Sequence, residues 1–90
     1  MKTYHYIVSG SVQGVFFRYY TKEKADKLRL KGTVQNLFNG DVEVYVRGDP
    51  KELEKFETYL HHGPASAEVK SVTKNEIESE EIYPDFKIIY

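Results

Sequence analysis

The fold is decided by a stretch near the middle of the chain, Thr33-Val34-Gln35-Asn36-Leu37-Phe38-Asn39-Gly40-Asp41-Val42-Glu43-Val44-Tyr45-Val46-Arg47. Apolar and polar residues alternate in residues 33–38 and again in 41–47, which predicts two β-strands that each bury one face. Asn39-Gly40 lies between these two runs, and this dipeptide favours a type I′ turn with positive φ at both turn residues. The sequence therefore predicts a β-hairpin in the middle of the chain.

A predicted helix lies on each side of the hairpin. Residues 17–28 place Phe17, Thr21, Ala25 and Leu28 at helical spacing, so that this helix would bury one stripe against a sheet. After the hairpin, Asp49-Pro50-Lys51-Glu52 is a strong helix start, with an N-cap acid, proline at the first helical position and a further acid. This second helix is expected to end at His61-His62-Gly63-Pro64.

Three further strands complete the predicted order. They are expected in residues 4–9, 69–77 and 86–90, and the acidic run 78–81 is expected to be a solvated loop. The order βαββαβ plus a short C-terminal strand predicts an α+β, ferredoxin-like sandwich, with an antiparallel sheet and both helices on one face. We expect residues 1–90 to form a single domain, because a chain of 90 residues has room for one core.

Composition narrows the possible functions. The chain has no cysteine, which excludes disulfides, thiolate metal sites and cysteine nucleophiles and fits a cytoplasmic location. Its formal net charge of −1 gives no bulk attraction for nucleic acid. We find neither a signal-peptide apolar region nor a run of membrane-spanning length, so no membrane partner is expected.

The turn into the first helix is a candidate anion site, formed by Val12-Gln13-Gly14-Val15-Phe16-Phe17-Arg18. The first N–H groups of a helix have no internal partner, and the helix dipole adds partial positive charge there. Arg18 would stand in that first turn, where a cation is repelled unless an anion is bound. A surface arginine in an ordinary connecting turn is the alternative interpretation.

Asn36 is the second candidate, because it shares a predicted strand face with the apolar residues Val34 and Phe38. A polar amide on such a face needs a hydrogen-bond partner. It either satisfies the nearby turn or positions a water molecule. His61 and His62 are adjacent at a helix end, which favours a solvated end over a metal ligand pair, and no zinc-type spacing occurs.

The chain resembles the acylphosphatase family along nearly its whole length. The segment from Val12 to Arg18 is similar to the family's phosphate-loop signature. Residues from Gly32 to Asn36, with the later glycines Gly40 and Gly48, are similar to its second signature. The loop that starts at Gly63-Pro64-Ala65 and the ending Phe86-Lys87-Ile88-Ile89-Tyr90 also resemble family segments.

The resemblance implies hydrolysis of small-molecule acyl phosphates to a carboxylate and inorganic phosphate, without metal, cofactor or covalent phosphoenzyme. It implies that Arg18 binds the phosphoryl group and that Asn36 orients the attacking water. The backbone of Gln13, Gly14, Val15, Phe16 and Phe17 would cradle the phosphate. A monomeric enzyme is expected.

The sequence departs from the family pattern at two positions and leaves three rival functions open. The family usually has an aromatic residue at the position of Thr33 and often glycine at that of Arg29. A left-handed Arg29 would cost roughly 1 kcal/mol relative to glycine. The rivals are a non-catalytic module that binds phosphate, an RNA-binding domain, and the acylphosphatase-like domain of a larger carbamoyl-transfer enzyme. A chain that ends at Tyr90 disfavours the last.

Overall fold

A computed structural model of the chain describes residues 1–78 and 81–90. Its elements are β1 (Lys2–Ser11), α1 (Phe17–Lys27), β2 (Lys31–Asn36), β3 (Val42–Gly48), α2 (Pro50–His62), β4 (Glu68–Ile77) and β5 (Phe86–Ile89). The predicted order is confirmed. Residues 79 and 80 of the predicted acidic loop lie outside the described residues.

The five strands form one mixed sheet in the order β4-β1-β3-β2-β5. The first four strands pair antiparallel, as predicted, and β5 adds to the edge of β2 in the parallel direction. This α+β arrangement is the predicted ferredoxin-like fold with an added C-terminal strand. The parallel pairing brings the end of the chain alongside β2 and α1, which positions one wall of the site described below.

The core lies between the sheet and the two helices. Alternation along β3 buries Val42, Val44 and Val46 completely, because the helices cover only one face of the sheet. On β1 the buried face carries Tyr6 and Val8. From the predicted stripe of α1, Phe17, Thr21 and Ala25 are buried, whereas Leu28 is the C-cap that follows the helix. The second helix, α2, buries Leu53, Phe56 and Leu60.

The predicted two-residue turn of the central hairpin is wrong. The Leu37 N–H donates to the Asp41 carbonyl at 2.8 Å, so the loop has three residues. Gly40 has φ 96°, whereas φ of Asn39 is negative. This combination fits a type I turn followed by a left-handed glycine. Phe38 therefore lies in the loop, fully exposed, and does not continue the strand face of Asn36.

No helix in residues 1–78 and 81–90 is long and apolar enough to cross a membrane.

Candidate active site

An open cleft of about 310 Å³ lies at the N-terminal end of α1. The phosphate-loop segment forms one side, the end of β2 another, and β5 with the residue after it a third. The lining residues are Val12, Gly14, Phe16, Phe17, Arg18, Tyr19, Asn36, Ile88 and Tyr90. The structure therefore brings together the two side chains that the sequence singled out, Arg18 and Asn36.

The backbone before α1 has the form of an anion-binding nest. Gly14 and Phe16 are left-handed, with φ of 73° and 63°, whereas φ of Val15 between them is negative. Such alternation directs successive N–H groups toward one concave side. Within the described part of the chain, the N–H groups of residues 14–16 donate to no protein acceptor.

The N-terminus of α1 has none of the usual protein caps. Phe16 stands at the N-cap without a side-chain hydrogen bond, and the first turn contains no acidic residue. Polar backbone groups in that position need a partner, and the helix dipole makes an anion the favoured one. Glycine would tolerate the left-handed conformation, but Phe16 is strained there, which is typical of a functional site.

Arg18 is half-buried and lies against the C-terminal edge of the sheet. Its guanidinium carbon is 4.8 Å from the centre of the Tyr90 ring, and Nη1 donates to the Ile89 carbonyl at 3.4 Å. No acidic side chain pairs with Arg18 among residues 1–78 and 81–90. The ring and the carbonyl hold the arginine without neutralising it, so its charge remains available to an anion.

Asn36 is the last residue of β2, and its Oδ1 atom is buried without a hydrogen-bond partner in the described structure. The turn beside it does not use this amide. Backbone bonds and the side chain of Gln13 satisfy the turn instead. A buried carbonyl oxygen that lacks a donor costs about 1–3 kcal/mol, which fits an acceptor kept for a bound molecule such as water.

The side chains of the other predicted cradle residues, Gln13, Val15 and Phe17, contact other parts of the protein. The Phe17 side chain is buried in the core, and Val15 packs against that core. Gln13 turns its side chain toward Leu37 and Asp41 and does not line the cleft.

Sequence reasoning missed three residues of the cleft wall and one that supports the loop. Tyr19, Ile88 and Tyr90 line the cleft, and the Ser66 hydroxyl donates to the Val15 carbonyl at 3.0 Å. In a trans peptide the carbonyl and the following N–H point in opposite directions. Because the Val15 carbonyl points toward Ser66, the Phe16 N–H points away from Ser66. The β5 contacts depend on long-range strand pairing, for which the sequence carried no signal.

The histidines lie away from this cleft. His61 and His62 are exposed at the end of α2, and His5 pairs with Glu43 at 2.9 Å on the sheet face without helices. No group of three or more His, Asp or Glu residues that could hold a metal occurs in residues 1–78 and 81–90.

Comparison with known proteins identifies the family. The family model described as Acylphosphatase matches residues 4–88. The acylphosphatase of Vibrio vulnificus is 45% identical over 84 residues, which are 93% of this chain and 92% of that protein. The crystal structure of acylphosphatase from Bacillus subtilis matches with a TM-score of 0.96 at 37% identity, over 100% of both chains.

A larger protein also contains a similar unit. The crystal structure of HypF from T. kodakarensis matches all of this chain, but only 12% of that chain, with a TM-score of 0.87 and 32% identity. The full-length relatives and the family model together give the assignment: the chain belongs to the acylphosphatase family. The prediction of an acylphosphatase enzyme is thereby confirmed.

Proposed function

We propose that the cleft at the start of α1 hydrolyses the carboxyl–phosphate bond of small-molecule acyl phosphates. The observation that carries this proposal is one cleft lined by both Arg18 and Asn36. Among residues 1–78 and 81–90, Arg18 has no acidic partner, and the buried Asn36 Oδ1 has no hydrogen-bond partner. One group can hold the phosphoryl oxygens, and the other can accept a hydrogen bond from water.

The phosphoryl group is bound by charge and by backbone donors. The planar Arg18 guanidinium matches two phosphoryl oxygens. The N–H groups of residues 14–16, which have no acceptor among the described residues, hold the same group from the nest. A phosphoryl-transfer transition state is loose, so these positioned charges supply most of the stabilisation.

Water is the attacking group in this proposal. The cleft wall contains no serine, threonine, cysteine, histidine or carboxylate side chain among the described residues. Asn36 Oδ1 accepts a hydrogen bond from the water molecule and so orients the water oxygen toward phosphorus. The new P–O bond forms as the bond to the acyl oxygen breaks. The carboxylate leaves with that electron pair, and a substrate oxygen takes the proton of the water.

The leaving group determines the substrate class. A carboxylate leaves without protonation, so the cleft needs no general acid, whereas the alkoxide of an ordinary phosphate ester would need one. The exposed aromatic rings of Phe16, Tyr19 and Tyr90, which are 80%, 65% and 94% exposed, offer an apolar rim to the acyl group.

We further propose that residues 1–90 form one acylphosphatase domain that acts as a cytoplasmic monomer, without metal, nucleic acid or membrane partner. The net charge of −1 and the absence of cysteine support this setting. The inorganic ion that the enzyme binds is phosphate, the product of the reaction.

The test is hydrolysis of benzoyl phosphate in excess EDTA, with p-nitrophenyl phosphate as the ester for comparison. Turnover of the acyl phosphate that survives EDTA and greatly exceeds turnover of the ester is expected. Phosphate binding without any turnover would instead establish a non-catalytic binding module.

A further inference from the structure

We infer that the side chain of Gln13 is a positioning residue that fixes Asn36 relative to the phosphate loop. This inference rests on the proposed function, because it concerns the alignment of the water with the bound phosphoryl group. It assigns Gln13 a side-chain role distinct from the backbone cradle.

The contacts of Gln13 are short and use both donors of one nitrogen. Nε2 lies 2.7 Å from the Leu37 carbonyl oxygen and 2.8 Å from the Asp41 carbonyl oxygen. Both partners are acceptors only, so the amide nitrogen, and not the amide oxygen, must face them. The side chain thus has one satisfactory orientation.

The two carbonyls belong to the residues that close the central hairpin. The Leu37 N–H donates to the Asp41 carbonyl, and the Gly40 N–H donates to the Leu37 carbonyl. Gln13 therefore holds the turn at its closing pair, across 24 and 28 residues of sequence.

Each end of this link is next to a functional element. Gln13 directly precedes Gly14, where the nest begins, and Leu37 directly follows Asn36. The link therefore joins the residue before the phosphate cradle to the residue after the water-binding amide. In the described structure no other side-chain hydrogen bond joins the loop 12–16 to the turn 37–41.

The relative position of cradle and amide decides the rate, because water must attack in line with the leaving carboxylate. A misplacement of about 1 Å costs about 100-fold in an enzyme reaction. Since Gln13 contacts the turn and not the cleft, its loss should reduce kcat and leave phosphate affinity nearly unchanged.

The experiment compares Gln13→Met, which keeps the length of the side chain but has no donor, with Gln13→Glu. We expect Gln13→Met to lower kcat for benzoyl phosphate by about 10- to 100-fold. Its inhibition constant for inorganic phosphate should stay within about 2-fold of the wild-type value, because the nest and Arg18 are intact.

Gln13→Glu adds a readout that a purely structural role would not move. At neutral pH its carboxylate faces two carbonyl oxygens and repels them, so kcat should fall at least as far as in Gln13→Met. As the pH falls toward the ordinary carboxyl range, about pH 4–5, the protonated acid regains one donor. The ratio of its kcat to that of the wild-type enzyme should then rise, while the ratio for Gln13→Met stays flat.

Thermal melts at each pH establish that both variants are folded during the assays. Wild-type kcat in a folded Gln13→Met variant, or a Gln13→Glu ratio that does not change with pH, would overturn the inference. If Gln13→Met does not fold, the pH response of Gln13→Glu decides alone. An inactive wild-type enzyme would contradict the proposed function itself, which is a different result.

Discussion

The N-termini of the two helices are built in opposite ways. At the start of α2, the Asp49 side chain accepts a hydrogen bond from the Lys51 N–H at 2.9 Å, and Pro50 and Glu52 complete a conventional helix start. At the start of α1, Phe16 provides no cap, no acid occupies the first turn, and Arg18 stands where the helix dipole repels it.

This difference separates stability from function. The protein supplies its own anion to α2, where the cap stabilises the helix. At α1, next to the cleft, no side chain caps the helix and the first turn has no acidic residue, and we propose that a substrate anion takes that place. Mutations at the start of α2 should therefore change stability, whereas mutations at the start of α1 should change turnover and phosphate binding.

The largest expected effect comes from Arg18→Ala. Loss of the guanidinium removes the main charge that we propose faces the phosphoryl group, so kcat/KM for benzoyl phosphate should fall by about 1000-fold or more. Phosphate should also bind more weakly. Thermal melts without phosphate should change little, because Arg18 has no acidic partner in the described structure. Arg29→Ala, at the other end of α1, is the matched control and should keep wild-type turnover.

Asn36→Ala should have the next largest effect and should divide binding from turnover. The variant loses the proposed acceptor for water, so kcat should fall by about 100-fold or more. Phosphate affinity, measured by product inhibition, should stay close to the wild-type value. Wild-type kcat in this variant would remove Asn36 from the mechanism.

Phe16→Asp tests the uncapped start of α1 directly, because it places a protein anion where the substrate anion is expected. Asparagine and aspartate both tolerate left-handed backbone, so Phe16→Asn is the matched neutral control. The aspartate carboxylate repels phosphate, so the Phe16→Asp variant should bind phosphate about 10-fold more weakly than the Phe16→Asn variant. Equal phosphate affinities of the two variants would place the anion elsewhere.

Asp49→Ala should have the smallest effect of these variants. It should lower the stability of the protein and leave its turnover unchanged. Loss of an N-cap of this kind costs about 1 kcal/mol of unfolding free energy. Chemical denaturation should show that loss, whereas Asp49→Ser, which keeps a capping oxygen, should lose less. The kcat of both variants for benzoyl phosphate should equal that of the wild-type enzyme.

Local patterns were sufficient to predict most of the fold. The alternating valines of β3, the helical stripe of α1 and the Asp49-Pro50 start of α2 each follow from the period of their element. Arg29 is left-handed, with φ 57°, as the departure from glycine suggested. There the N–H of Arg29 donates to the Asp26 carbonyl, and the N–H of Leu30 donates to the Ala25 carbonyl.

The errors and omissions concern contacts between distant segments. The Asn39-Gly40 dipeptide favoured a two-residue turn, but the turn closes at Leu37 and Asp41, where Gln13 also binds. Tyr90 reaches Arg18 because β5 pairs in parallel with β2. The family signatures predicted Arg18 and Asn36 themselves, but the residues that support them depend on tertiary pairing that the sequence does not display.

The central claim is that the phosphate anion binds at the start of α1, and titration of amide NMR signals with inorganic phosphate tests it most directly. Saturable shifts are expected for the backbone amides of residues 14–18, with no comparable response at the capped start of α2, and the Arg18→Ala variant should lose the response. Unchanged shifts in Arg18→Ala, or a response centred away from residues 14–18, would contradict the account.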